Sequence, residues 1–560
     1  MSIMVDASNR VPMMFRAQVE GRCQLQRIDP QRKGYKKQDV QIWTEQWIDR
    51  AEEPPQFSAF VKTRAYQITW RFIANGGQDD GVIRPVIGAR GTPFYPGSSM
   101  KGLFRRAAQQ LEAAGELEKG ECDRLCGDAA TLSPGILRFH GGYPTTSKWR
   151  ENLVDIVHPQ KSWQLQERNT RTKASGAFAQ ISLYKPELRF GISSSVSLSE
   201  SEWDAIWRIW ENALSRGIGC RVAAGYGQTQ TLTKNILFRC RLKGQGLASK
   251  LLDNTLEFRP NIFRAAVRGH ALRIFGGLTN ESNAEALVDT LFGGIQNGAK
   301  WGLLAMQFQE RTLDLNSQQG TYSVVGDLTW KLTQPLPEET QNALKALIKH
   351  LTQFAMVLGG LGKAWRRADH RLFMEDYDQQ IIGCHWQWEG KVSPIAHNPV
   401  RKLEQVPDFL EKVQASARTW MQIQGIQPST NHTAPWRESW TPQTVQVWGR
   451  MADSREDSQA IRWFHQPYSY RYQGKQKVPL SIQGTTVTGK LNQIGRIWHR
   501  MYPIVLSKTD PEHPEKRIPK PTPRYLEFLT IFPDDSQDFQ KFLTFLQSNE
   551  SAFERLYGRE

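Results

Sequence analysis

The sequence predicts an α+β protein built from two tandem domains of one fold, and three observations carry that expectation. Strand-like alternating runs are interleaved with helices of amphipathic period, and three segments of the first half recur in the same order in the second. The third is length: 560 residues exceed what one hydrophobic core usually accommodates.

Taken in order, Met14 to Leu25 alternates like a strand, and the polar stretch after it, through Pro54 and Pro55, reads as a loop or an RNA-facing insertion. Residues 65–73, AYQITWRFI, form a strand that runs into a long glycine- and proline-rich connection, NGGQDDGVIRPVIGARGTPFYPGSS. A helix follows, MKGLFRRAAQQLEAAGELE, with Ser98 or Ser99 at its cap position. GILRFHGGY reads as a strand, and AFAQISLYKPELRFGISSSVSL as two strands joined at Lys185-Pro186. SESEWDAIWRIWENALSRG is an amphipathic helix capped by Ser199 or Ser201, and the loop GIGCRVAAGYGQTQ leads from it to a strand at 236–242. Strands with two helices on one face predict a ferredoxin-like domain.

The second half repeats this plan. EFRPNIFRAAVRGHALRIF at 257–275 echoes FYPGSSMKGLFRRAAQQL, each with two basic residues four apart: Lys101 and Arg105 in one, Arg264 and Arg268 in the other. LVDTLFGGIQNGAKWGLLAMQFQ matches ECDRLCGDAATLSPGILRFHGGY, and GGLGKAWRRADHRLF takes the place of the first glycine-rich loop. The expected division is a first domain at 1–243, a second core at 244–395, an insertion or linker at 396–480, and a part at 481–560 that completes the second domain or forms a small third one. Helices are expected at 400–424 and from Asp535 to about Leu556.

Lys and Arg total 72 against 56 Asp and Glu, a formal charge of +16, which suits a polyanionic partner such as nucleic acid. Solubility alone is the competing account of that charge. No run of about 18 apolar residues is present and the opening lacks a signal-peptide pattern, so a cytoplasmic protein with no membrane partner is expected. Six scattered cysteines read as reduced thiols. Cys122 and Cys126, one helical turn apart and followed by His140 and His158, suggest a zinc site, but the spacing is not a finger pattern and a core thiol is the preferred reading.

Basic side chains at one-turn spacing beside a glycine-rich loop make a phosphate-tracking surface, because glycine lets backbone approach the strand and helix N-termini offer free amides. For Lys101, Arg105 and Arg106 alone the competing reading is a solvated helix face. Asp79-Asp80-Gly81, by composition, is a turn.

TPFYPGSSMKGLFRRA at 92–107 resembles the signature of the RAMP superfamily of CRISPR proteins, and GIGCRVAAGYG at 217–227 is similar to that superfamily's glycine-rich loop. With GGQDDGVIRPVI, LCGD and RNTRTKASGAF, the resemblance covers nearly all of residues 65–240. The second half resembles the family more weakly, since Arg-Pro-Asn-Ile-Phe-Arg replaces Pro-Gly-Ser-Ser-Met-Lys. The resemblance implies two RRM-like RAMP domains in a backbone subunit of a type III effector, with tandem fusion pointing to a type III-D-like arrangement. Its partners would be crRNA, complementary target RNA and the other effector subunits. Asp79 or Asp80 matches the family's cleaving aspartate, which would act on target RNA with a divalent metal, Mg2+ or Mn2+. RNA contacts are implied for Arg84, Ser98, Ser99, Lys101, Arg105, Arg106 and Arg221, while Tyr226, by its place near the glycine-rich loop, is a candidate to stack on a base, with a core ring as the competing and more common account. In the thumb-like segment they fall on Arg168, Arg171 and Lys173, with an exposed basic hairpin of no packing role as the competing account, and in the second half on Arg264, Arg268, Lys363, Arg366 and Arg367. The second half, with only Asp253 near the matching interval, is expected to hold RNA without cutting. A subunit that binds RNA without turnover is the alternative, whereas a histidine-based guide-processing nuclease is disfavoured by the absence of histidine before residue 140.

Overall fold

The computed structural model describes residues 39–79, 82–88, 90–128, 130–157, 178–230, 235–294, 301–362, 384–429, 431–490 and 493–559. The fold is α+β and divides into two compact units, Met1–Lys234 with Ser249–Glu257, and Asn235–Ala248 with Phe258–Glu560. The strand-like run at 14–25 lies outside the described residues.

In the first unit the elements are α1 (Asp39–Arg50), β1 (Lys62–Gln67), β2 (Arg71–Phe72), β3 (Asn75–Asp79), β4 (Val82–Pro85), α2 (Gly97–Ala113), α3 (Glu121–Cys126), β5 (Leu137–Pro144), β6 (Val154–Val157), β7 (Phe178–Ile181), β8 (Leu183–Tyr184), β9 (Glu187–Ser194) and α4 (Glu200–Leu214). α1 occupies part of the polar stretch expected to be a loop. Val40, Trp43 and Trp47 recur at one-turn spacing and are buried, and Trp47 Nε1 donates to the Gly91 carbonyl at 2.7 Å. Burial of two tryptophans outweighs the polarity of the other face.

β1, β9 and β5 form an antiparallel sheet in that order. On the free edge of β1, Ile68 makes a bridge to Thr229. Numbered by chain order, the neighbours therefore run fourth, first, third, second. α2 and α4 supply the helical layer, and α4 carries a capping box in which Ser199 and Glu202 satisfy each other's backbone amides.

The second unit contains two further sheets. Its elements are β10 (Ile236–Leu247), α5 (Asn261–Gly276), α6 (Glu281–Phe292), β11 (Leu304–Asn316), β12 (Thr321–Leu332), α7 (Glu338–Phe354), β13 (Cys384–Trp388), α8 (Gln405–Ile423), β14 (Gln446–Ala452), α9 (Gln459–His465), β15 (Ser469–Gln473), β16 (Gln476–Leu480), β17 (Ile497–Thr509), β18 (Arg517–Ile531), α10 (Gln537–Gln547) and β19 (Glu554–Tyr557). One sheet has the order β11-β12-β10-β13 and the other β17-β18-β14-β19, both antiparallel throughout. Each again reads fourth, first, third, second. The strand expected at 236–242 opens the second sheet instead of closing the first. The final helix ends at Gln547, after which Glu554–Tyr557 pairs with β14 as an edge strand.

A glycine device marks the same point in all three sheets. Gly127, Gly293 and Gly489 have φ of 91°, 82° and 89°, a conformation that excludes most side chains. Facing them, Gly135 and Gly302 approach so closely that a Cβ would stand 2.3 Å from the Gly127 nitrogen and 2.4 Å from the Gly293 nitrogen. At Gly495 it would stand 2.5 Å from the Thr488 carbonyl oxygen. In each case the second strand of its sheet begins two residues later, at Leu137, Leu304 and Ile497. The second unit thus contains two complete copies of a β-α-β-β-α-β path, the last from β14 to β19, and the first unit follows the same path with the isolated bridge at Thr229 in place of a fourth strand.

The second and third copies share one core. Arg500, wholly buried, donates from Nε to the Met356 carbonyl at 3.0 Å and from Nη2 to the Trp386 carbonyl at 2.6 Å. Tyr502 accepts from Trp388 Nε1 at 2.9 Å and donates to Asn398 Oδ1 at 3.0 Å, so both of these side chains, caught between the copies, are hydrogen-bonded.

Candidate nucleic-acid interface

The glycine-rich connection after β2 folds into a hairpin. β3 pairs with β4 through Gln78↔Ile83 and Asp79↔Val82, which sets Asp79 at the last paired position before the tip. Asp80 and Gly81 lie outside the described residues. β4 in turn pairs in parallel with β7, Val82 opposite Ala179, and β7 pairs antiparallel with β6, Val157 opposite Phe178. The tip end of the hairpin therefore shares one end of this four-stranded sheet with the points where the chain leaves β6 and re-enters at β7. Arg168, Arg171, Lys173 and His158 belong to the segment between those points, which is outside the described residues. Arg84 lies on β4 opposite Gly77.

The loop at 217–227 packs on the strand that feeds the hairpin. Cys220 donates its amide to the Ile73 carbonyl at 2.9 Å, and Gly227 donates to the Arg71 carbonyl at 2.7 Å. A Cβ on Gly219 would stand 2.3 Å from the Ile73 carbonyl oxygen, so these glycines are required by close backbone approach within the domain. Arg221, exposed and left-handed at φ 59°, projects from this loop beside the hairpin root.

Tyr226 is not available to stack on a base. It is buried against Trp70, ring centroids 4.6 Å apart, and its hydroxyl accepts from Gln180 Nε2 at 3.1 Å on β7. Burial pushes its phenol up to about 12. The ring holds the glycine loop to the hairpin's sheet.

Beneath the hairpin root Arg71 is fully buried and forked onto Glu257, Nε to Oε1 at 2.7 Å and Nη2 to Oε2 at 3.0 Å. Its remaining donors reach Ser182 Oγ and the Asn152 carbonyl, and Trp70 Nε1 also donates to Glu257 at 2.7 Å. Burial, the largest single influence, lowers the Arg71 pKa, but the charge and hydrogen bond of Glu257 together with the charges of Asp155 and Tyr226 outweigh it and raise the value. Asp253 sits in the segment carrying Glu257 and accepts from the Thr255 amide at 2.9 Å, a turn contact in the first unit rather than an acidic site of the second.

α2 begins at Gly97 with Pro96 as its N-cap, so Ser98 and Ser99 occupy the exposed first turn instead of the cap itself. Gly97 is dictated by packing, since a Cβ there would stand 2.1 Å from the Phe139 carbonyl oxygen. Lys101 is exposed. Arg105 is partly covered and reaches Asp123 on α3 at 3.3 Å. Arg106, exposed, points round the helix toward Tyr95 and Arg216, so the three basic residues do not form one line.

In the second copy the corresponding pair is engaged internally. Arg268 binds Asp289 on α6 at 3.4 Å with both side chains largely buried, and Arg264 donates to the Phe292 carbonyl and lies 5.8 Å from that ring's centroid. The repeated basic spacing therefore ties each long helix to the short one after it, which removes Arg264 and Arg268 from the set of free phosphate ligands. Lys363, Arg366 and Arg367 lie outside the described residues.

Cys122 and Cys126 are buried thiols. Burial raises both, Cys126 to about 12, and Cys122 Sγ contacts the Arg105 carbonyl at 3.6 Å. His140 is exposed on β5 and bonds Ser193 Oγ at 2.8 Å. Among the described residues no group of three His, Cys, Asp or Glu side chains is placed to hold a metal. One exposed basic and aromatic element, the β15–β16 hairpin, was not anticipated from the sequence, although SYRYQGKQK carries its signal.

No family model matches the sequence, and a search of curated proteins finds no match. Among solved structures the chain is similar, at TM-score 0.23 and 18% identity, to a chain of the "Cryo-EM structure of the Type III-B Cmr-beta bound to cognate target RNA". The match covers 34% of this chain and 62% of the other, so the chain spans less than two thirds of that chain's length. No helix among the described residues is long and apolar enough to cross a membrane.

Proposed function

We propose that this chain is an RNA-binding backbone subunit of a type III CRISPR effector, built of ferredoxin-like (RRM-like) RAMP domains, that holds crRNA and cleaves the paired target RNA. The observation that carries the reading is the pairing register of the hairpin sheet. It supports a shared end for Asp79 and for Val157 and Phe178, the residues that flank in sequence the basic segment containing Arg168, Arg171 and Lys173. The strand order fourth, first, third, second, repeated three times, supports the ferredoxin-like assignment, and several copies in one chain support the fused, type III-D-like arrangement.

In this reading the hydroxyls of Ser98 and Ser99, the free amides at the start of α2, and Lys101 contact guide phosphates, with Arg221 and Arg84 nearer the hairpin. Arg105 and Arg106 contribute charge from their own sides of the helix. A carboxylate at position 79 or 80 would anchor a divalent metal, Mg2+ or Mn2+, which when bound screens the scissile phosphate. Other effector subunits and the target RNA complete the assembly, in the cytoplasm. The test is separate Asp79→Ala and Asp80→Ala exchange in the assembled complex, followed by a target-cleavage assay. Loss of one set of cuts is expected with one of the two variants, while unchanged cutting at every position by both would leave a purely structural subunit.

A further inference from the structure

The third copy carries an element that the proposed catalytic and guide-binding parts do not use. Between α9 and β17 the chain forms a hairpin, β15–β16, with Tyr470 opposite Pro479 and Tyr472 opposite Lys477. Tyr470 and Tyr472 are two apart on one strand, so both rings stand on the same face. They are 49% and 74% exposed, although most of the chain's aromatic rings are buried. Lys477 Nζ lies 4.2 Å from the Tyr470 ring centroid, and Arg471 and Lys475 occupy the same hairpin. Its base is anchored: the Tyr468 ring packs on Phe542 and Phe545 of α10, and Ser469 Oγ donates to Glu550 at 2.9 Å.

Charge identifies the occupant. Residues 458–509 contain eight Lys and Arg and no Asp or Glu, so this stretch supplies half of the chain's net +16. Of these, Arg500 is buried and Arg496 pairs with Asp534 at 3.1 Å, but the cations on the hairpin have no carboxylate within the hairpin itself. A partner selected by such a surface is anionic, and exposed phenol rings interleaved with cations suit one that alternates phosphates with flat bases.

We infer that the β15–β16 hairpin is a stacking platform for unpaired RNA, in which Tyr470 and Tyr472 each take one base and Lys475 and Lys477 meet the flanking phosphates. The choice of RNA over DNA rests on the proposed function; the stacking chemistry does not.

The full-length protein, freed of nucleic acid, is titrated against a fluorescently labelled oligoadenylate RNA and its DNA counterpart, with anisotropy as the readout. Tyr470→Ala with Tyr472→Ala is expected to weaken RNA binding at least tenfold without altering the salt slope, because no charge is removed. The Tyr470→Phe and Tyr472→Phe pair keeps the stacking faces and is expected within about twofold of wild type. Lys475→Ala with Lys477→Ala should flatten the slope. Unchanged affinity in the alanine pair, or equal loss in the phenylalanine pair, overturns the platform, and tighter binding of the DNA overturns the choice of RNA. Lys101→Ala with Arg105→Ala, run in parallel, separates the two ideas. Loss there with wild-type behaviour of the tyrosine variants removes the platform alone, and the converse result supports the platform while counting against the guide-binding helix.

Discussion

Glu527 shows how a single carboxylate can organise a domain. It is fully buried and accepts from Arg450 Nε at 2.6 Å, from His499 Nε2 at 3.0 Å, from Ser458 Oγ and from the amides of Gln459 and Ala460. Burial pushes its carboxyl up, but the hydrogen bond and charge of His499, with Arg450 and Ser458, outweigh it and hold the value near 2. Because the folded value is depressed below the unfolded 4.5, the stabilisation is present above pH 4.5 and is lost as pH falls toward 2. Glu527→Gln should lower stability at pH 7 by about 3 kcal/mol, and the difference from wild type should shrink between pH 4.5 and 2. Urea unfolding at several pH values checks this; a difference that stays constant with pH would exclude the carboxylate's charge as the source. Residue-scale legibility was uneven for the same reason. Lys101 and the Ser199 cap could be read locally, whereas the engagement of Arg268 by Asp289 and the burial of Tyr226 are tertiary facts with no local signal.

At the scale of elements, α2 contains a glycine that its own domain does not require. Gly102 lies exposed in the helix, and a Cβ there would meet nothing within 4 Å. Glycine in a helix interior costs about 1 kcal/mol relative to alanine, so Gly102→Ala should raise thermal stability. Under the proposed function the same methyl group stands where RNA backbone approaches, and guide retention should fall. A thermal melt and a retention assay on one preparation check both; a stabilised variant that binds as before would show that Gly102 faces only solvent. Helices with clear apolar period, such as α4 and α8, were legible from sequence. α1 was missed because its tryptophan stripe is embedded in charged residues, and the β3–β4 hairpin because glycines and prolines mask its alternation.

At the scale of the whole chain, the duplication was visible in sequence because its matched segments retain residues needed by backbone geometry, Gly127 with Gly293 and Gly135 with Gly302. The third copy was harder to recognise. Gly489 and Gly495 keep the device, but the inserted β15–β16 hairpin and a much shorter first helix, α9, break the register of the comparison.

The central proposal, that the start of α2 in the first unit holds a guide RNA, is tested by the RNA that purifies with the protein and its salt dependence. Wild type should carry RNA of defined length sharing a 5′ tag. Lys101→Ala with Arg105→Ala should release it at lower salt, the log–log slope falling by about one, since Arg105 already shares its charge with Asp123. Equal retention with an unaltered slope, or a protein that carries no defined RNA, would contradict the account.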